Sequence, residues 1–184
     1  VPDPLFFSAW IRGYSPLALP VYFKKALQVF PVSKFKPGGV LRVFALSFQE
    51  PPVLEEIYGT IPDWQEVVSR AQEFLHEDCS FQFECSWDLW HWQGEWKLQA
   101  APALISCFGP EFESGLGEHL NLHFPDESLF LPNPASDQLR PVQSNLRSLV
   151  RLAAEVEENL PMSRRTLWSE THDNFADYVK DLLD

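Results

Sequence analysis

The chain has 184 residues, 45% of them hydrophobic and 14% aromatic, with a formal net charge of −12 at pH 7. That size and apolar content suffice for one packed domain over residues 1–184 and exclude intrinsic disorder. Residues 1–50 hold six Lys/Arg against two Asp/Glu, and residues 51–184 hold eight against twenty-four; an acidic body of this kind argues against DNA, RNA or an anionic membrane as partner, because each requires a basic footprint.

Lys24, Lys25, Lys34 and Lys36 form the one small basic group, which a solvated helix end and loop explain. The longest run without Asp, Glu, Lys or Arg, Leu98 to Pro110, holds two prolines and is too short to cross a bilayer. No basic segment precedes an apolar one at the start, so no signal peptide is expected. Three cysteines, an odd number without a CxxC, point to reduced thiols and a cytoplasmic protein.

In chain order, Leu5, Phe7, Ala9 and Ile11 alternate with Phe6, Ser8, Trp10 and Arg12, the period of a strand. Leu19, Phe23, Leu27 and Phe30 recur at helical spacing, with Pro16 or Pro20 marking the first turn and Pro31 the end. Val40 to Phe48 is apolar on both parities save Arg42 and Ser47, which predicts a central strand. Pro62 opens a second helix with Trp64, Val67, Val68, Ala71, Phe74 and Leu75 on one face. Strands are predicted at 79–92, 95–108, interrupted near Pro102, and 118–124. Pro141 starts a third helix whose Val142, Leu146, Leu149, Ala153, Val156 and Leu160 follow a heptad seam. Trp168, Thr171, Phe175, Tyr178 and Leu182 repeat that spacing, so residues 138–184 are expected to form a helical hairpin.

The order β-α-β-α-β-β-β-α-α predicts an α+β domain. About five strands make an antiparallel or mixed sheet, with helices packed on one face and the hairpin as its C-terminal appendage.

Four tryptophans fall within Cys85–Gln99. Phe81, Phe83, Cys85 and Trp87 share a strand face, after which Trp90 and Trp92 are on the wrong parity. A β-bulge at Asp88-Leu89 would bring all of them to one side, with Trp96, Leu98 and Ala100 continuing that side beyond the turn at Gly94. The cluster then reads as one wall of the core, Trp92 and Trp96 at the hairpin tip being the rings most open to solvent.

Chemical motifs are scarce. The glycine doublet Gly38-Gly39 lacks a phosphate-loop frame, and there is no GxSxG or HExxH. His119, Asn121 and His123 share a strand face, but the two imidazoles are too far apart for one zinc, even with His91 as a possible partner for one of them. Glu118 and Asp126 flank that strand and are placed to line a cleft. No catalytic residue, metal or cofactor is assigned.

The leading expectation is a non-enzymatic protein–protein interaction module, of adaptor, chaperone-like or immunity type. The alternative is a small-molecule-binding protein or enzyme with a pocket between sheet and helices. A flat apolar patch would favour the first, and a deep pocket with converging polar groups the second. The candidate interface comprises Phe6, Trp10, Trp92, Trp96, Trp168, Phe175 and Tyr178. Phe6 and Trp10 point away from the helix-covered face and need a cover: the C-terminal helices, or a second copy of the chain.

Overall fold

A computed structural model describes residues 2–183. The elements run β1 (Leu5–Ile11), α1 (Leu19–Val29), β2 (Gly39–Ala45), β3 (Leu54–Tyr58), α2 (Trp64–Gln72), β4 (Cys79–Trp92), β5 (Trp96–Phe108), β6 (Leu120–Phe124), α3 (Arg140–Asn159), β7 (Met162–Ser169) and α4 (Phe175–Val179). The strands form one sheet in the order β3-β2-β4-β5-β6-β1-β7, with every pairing antiparallel. The class is therefore α+β, as the sequence predicts, but the sheet has seven strands rather than five.

The two additional strands are its edges. Leu54–Tyr58 carries two glutamates and shows little apolar alternation. It pairs on one side only, with β2, and an edge strand has no need of two apolar faces. The first helix of the expected C-terminal hairpin is present as α3, but Met162–Ser169 is a strand where the second helix is expected to begin. It pairs with β1 from Phe6↔Trp168 to Trp10↔Arg164 and so covers backbone groups that β1 would otherwise leave open. The helical period survives only in the five residues of α4. The seam of α3 accordingly packs on α1 and β4 rather than on a C-terminal hairpin partner.

Helix starts follow local chemistry. Pro20 and Pro141 occupy the first turns of α1 and α3, where a missing N–H costs nothing. The Asp63 carboxylate caps α2 by accepting from the Gln65 N–H at 2.8 Å. Pro102 lies inside β5 without breaking it, because β6 pairs only with Leu104–Cys107 and no strand faces the vacant position.

The three longer helices cover one sheet face. Leu5, Phe7, Ala9, Leu120, Leu122, Ile105, Cys107, Phe81, Phe83, Leu41 and Val43 are buried beneath them. Trp87 sits centrally, 5.1 Å from the Phe124 ring and 5.5 Å from Phe30. The predicted bulge is absent: the β4–β5 ladder runs unbroken from Ser80↔Phe108 to Trp92↔Trp96. Leu89, not Trp90, follows Trp87 on the buried face, and Trp90 pairs with Leu98 on the other. Ala101 and Ala103, rather than Leu98 and Ala100, carry the core face of β5. Gly94 takes φ +81° at the turn, a conformation that favours glycine.

Beyond Glu84 the outer edge of β4 has no strand partner. Loop and helix groups take its place: Ser33 N–H donates to the Ser86 carbonyl at 2.7 Å, and Asn145 of α3 accepts from Trp90 N–H at 2.8 Å while donating to the Trp90 carbonyl at 2.9 Å. Among the described residues no helix is long and apolar enough to cross a membrane.

Candidate functional site

The opposite sheet face carries no helix. Antiparallel register brings side chains of successive strands into rows across it. One row reads Arg42, Gln82, Ser106, Asn121, Ser8 and Thr166, from β2 through β4, β5, β6 and β1 to β7. The next reads Glu84, Leu104, His123, Phe6 and Trp168.

This face is not a plain solvated one. Phe6 is sandwiched between His123 and Trp168, with centroids 4.8 and 4.6 Å away, both stacked. Toward the other end of the strands, Phe44, Phe108 and Phe112 form a second small core, with Phe48 packed on all three at 4.9–5.9 Å. Phe112 belongs to the β5–β6 loop, which is tied down by Glu111 N–H on the Glu77 carbonyl and Glu113 N–H on the Leu46 carbonyl.

Between these aromatic groups lies a groove of about 640 Å³. Gln82, Ser106, Glu118, Asn121 and His123 supply polar groups to its lining, and Phe6, Phe44, Phe48, Phe108 and Trp168 its rings. Gln82 is 7% exposed, Ser106 4% and Glu118 4%.

Ser8 organises one wall. Its hydroxyl donates to Glu118 Oε2 at 3.1 Å and accepts from Asn121 Nδ2 at 3.2 Å and Trp168 Nε1 at 3.1 Å. The carboxylate, the amide and the indole are thus fixed by one fully buried hydroxyl. The Gln82 amide and the Ser106 hydroxyl have no side-chain hydrogen bond to any of the described residues, and both line the groove. Burial holds the His123 ring below the ordinary histidine range, so it is neutral at pH 7. The neighbouring cation along the polar row, Arg42, is committed to Glu55 at 2.8 Å and Glu84 at 2.6 Å.

The predicted site residues separate. Phe6 and Trp168 come together at the groove, Trp168 as a strand residue. Trp10 lies under the Arg164 guanidinium, 4.3 Å from its ring centroid, so β7 provides the cover that helices were expected to give. Trp92 and Trp96 meet at the hairpin tip, 5.4 Å apart, and Trp96 Nε1 donates to Ser136. Phe175 is fully buried in the core, and Tyr178 is exposed, stacked on His172 at 3.8 Å. His119 and His123 serve different ends: His119 Nδ1 accepts from Ile11 N–H at 2.8 Å and its ring stacks on Tyr14 at 4.2 Å. His91 Nδ1 lies 3.0 Å from the Leu89 carbonyl. Glu118 lines the cleft, whereas Asp126 caps a 3₁₀ turn by accepting from Ser128 N–H at 2.9 Å.

Gln82, Ser106 and the phenylalanines of the second core belong to no motif in the sequence. A usable signal was present. Hydroxyls and amides recur at Ser8, Gln82, Ser106 and Asn121 of an acidic chain, and a face open to water has no reason to avoid charge at those positions.

Comparison with known proteins gives no match: no family model fits the sequence, no curated protein matches it, and no solved structure matches the chain.

Proposed function

We propose that the chain is a small-molecule-binding protein whose site is the groove on the helix-free face of the sheet. The observation that carries this reading is the pair Gln82 and Ser106, deeply buried, free of protein partners, and lining an aromatic-walled cleft. Their polar atoms open onto the groove, so an occupant can hydrogen-bond them while the rings provide its apolar contact. The location differs from the pocket between sheet and helices anticipated from sequence; a cleft of about 490 Å³ lies there, between α3 and β7, but none of its polar lining residues is buried.

A catalytic role has less support. The groove's hydroxyls are not joined to an imidazole; Ser8 bonds Glu118 instead. An interaction module is the second reading, favoured by edge strand β3, where Val53 and Ile57 are exposed beside unpaired backbone.

Native mass spectrometry with a mixture of small aromatic amides, alcohols and amines tests the first reading. Wild type should retain ligands that Ser106→Leu, which fills the groove, does not. Equal retention by both would refute it.

A further inference from the structure

We infer that the groove takes a small organic cation: a protonated amine, a guanidinium or a quaternary ammonium, carried on an apolar body. This deepens the reading of the groove as a ligand site and rests on it.

The charged side chains lining the groove are Glu113 and Glu118, with no Lys or Arg among the lining residues. Glu118 is almost fully buried, and its one side-chain hydrogen bond among the described residues comes from a neutral hydroxyl, that of Ser8. A carboxylate removed from water without a cation is costly, and a cationic ligand relieves that cost by a charge-assisted hydrogen bond. Arg42 does not relieve it, being held by Glu55 and Glu84. The His123 imidazole, stacked on Phe6, makes no hydrogen bond to Glu118, and its burial disfavours the cationic form.

The second element is the wall beside the carboxylate. Ser8 links Glu118 to the Trp168 indole through two hydrogen bonds of 3.1 Å each. Trp168 continues into the stack with Phe6 and His123. Both faces of Phe6 are covered in this stack, so the face left to a cation is the outer one of the Trp168 indole, whose negative potential attracts cations most strongly when water is excluded. Phe44, Phe48 and Phe108 line the other side and offer contact for an apolar body. Gln82 and Ser106 supply hydrogen bonds in between. An anionic ligand would meet two carboxylates and no compensating charge.

Three probes with one aromatic body separate the outcomes: phenethylammonium, 2-phenylethanol and phenylacetate, titrated calorimetrically into the full chain. The cation should bind at least about tenfold more tightly than the alcohol, the scale of a desolvated cation–π contact, and phenylacetate should not bind. Glu118→Gln keeps an acceptor for Ser8 and should lower the ammonium's affinity at least about tenfold, erasing its preference over the alcohol, with a urea midpoint close to that of wild type as the check that the variant folds; a variant that folds and keeps the preference would overturn the inference. Glu113→Gln should reduce the preference less. An alcohol that binds as tightly as the ammonium would overturn the cation inference and leave the groove standing as a ligand site. If none of the three binds at millimolar concentration, the groove reading fails and this inference with it.

Discussion

Asn145 is the residue whose loss should most clearly expose how α3 holds the β4–β5 hairpin. It is 1% exposed and lies where the outer edge of β4 has run past β2. Its Oδ1 accepts from Trp90 N–H at 2.8 Å, and its Nδ2 donates to the carbonyls of Trp90 at 2.9 Å and Leu129 at 2.8 Å. One side chain thus stands in for a missing strand. Asn145→Ala removes all three bonds and leaves backbone groups without partners. At about 1 kcal/mol net per bond, with an added cost for the orphaned groups, the loss is about 3–4 kcal/mol. Asn145→Leu restores volume but not hydrogen bonding and should be nearly as damaging. Urea unfolding followed by tryptophan fluorescence should show a midpoint lower by about 1–2 M at unchanged slope. The Trp90 amide should also lose protection from hydrogen exchange. A loss under about 1 kcal/mol, or an Asn145→Leu variant as stable as wild type, would refute the clamp.

Trp87→Ala should cost about 3–5 kcal/mol in the same urea assay, the range for a fully buried aromatic, whereas half-buried Trp90→Ala should cost clearly less; equal losses would revive the bulge. Burial raises the pKa of Cys79 and Cys107, and pushes that of Cys85 up to about 12, so a thiol reagent should label none in the native state and all three after denaturation without reductant. The same shifts stabilise the fold fully below the ordinary cysteine pKa of about 8.5, and that contribution should fade as pH rises above it. His119 and His123 are lowered, chiefly by burial, so their contribution is present above about pH 6.5 and lost as pH falls through their folded values. Denaturant midpoints across pH should therefore peak between these limits, and His123→Asn should weaken the acid-side decline. Trp10→Ala removes one partly exposed ring from under Arg164 and should cost no more than about 2 kcal/mol. Light scattering that showed a wild-type dimer becoming a folded monomer would instead place Trp10 in a subunit contact.

Where local pattern decides structure, the sequence is a good guide. The alternation of Phe81, Phe83, Cys85 and Trp87 and the turn at Gly94 define a hairpin whose ends lie close to those expected. Pro20 and Pro141 mark their helix starts for reasons confined to one turn, whereas α2 begins two residues after the expected Pro62, with Asp63 as its cap. The bulge follows from the sequence only if large rings belong inside. Leu89, an ordinary residue, occupies that place, and the rings beyond it are only half covered. The heptad of Trp168, Phe175 and Tyr178 misled because the unpaired edge of β1 is invisible in a linear pattern, and pairing with it outweighs a weak helical period. The groove was least legible of all. Ser8 and Glu118 are 110 positions apart, and the row from Gln82 to Ser8 exists only once strand order and register are known. Seen one strand at a time, these hydroxyls and amides resemble a wet surface.

The side-chain amide of Gln82 is the most direct witness to the proposed site. In proton–nitrogen correlation spectra of the full chain titrated with phenethylammonium, its two NH₂ resonances should be among the most displaced, together with the amides of Ser106 and His123, and Ser106→Leu should abolish those shifts. Resonances of Gln82 that stay fixed, while the largest changes fall on β3 or between α3 and β7, would contradict the assignment of the helix-free face as the binding site.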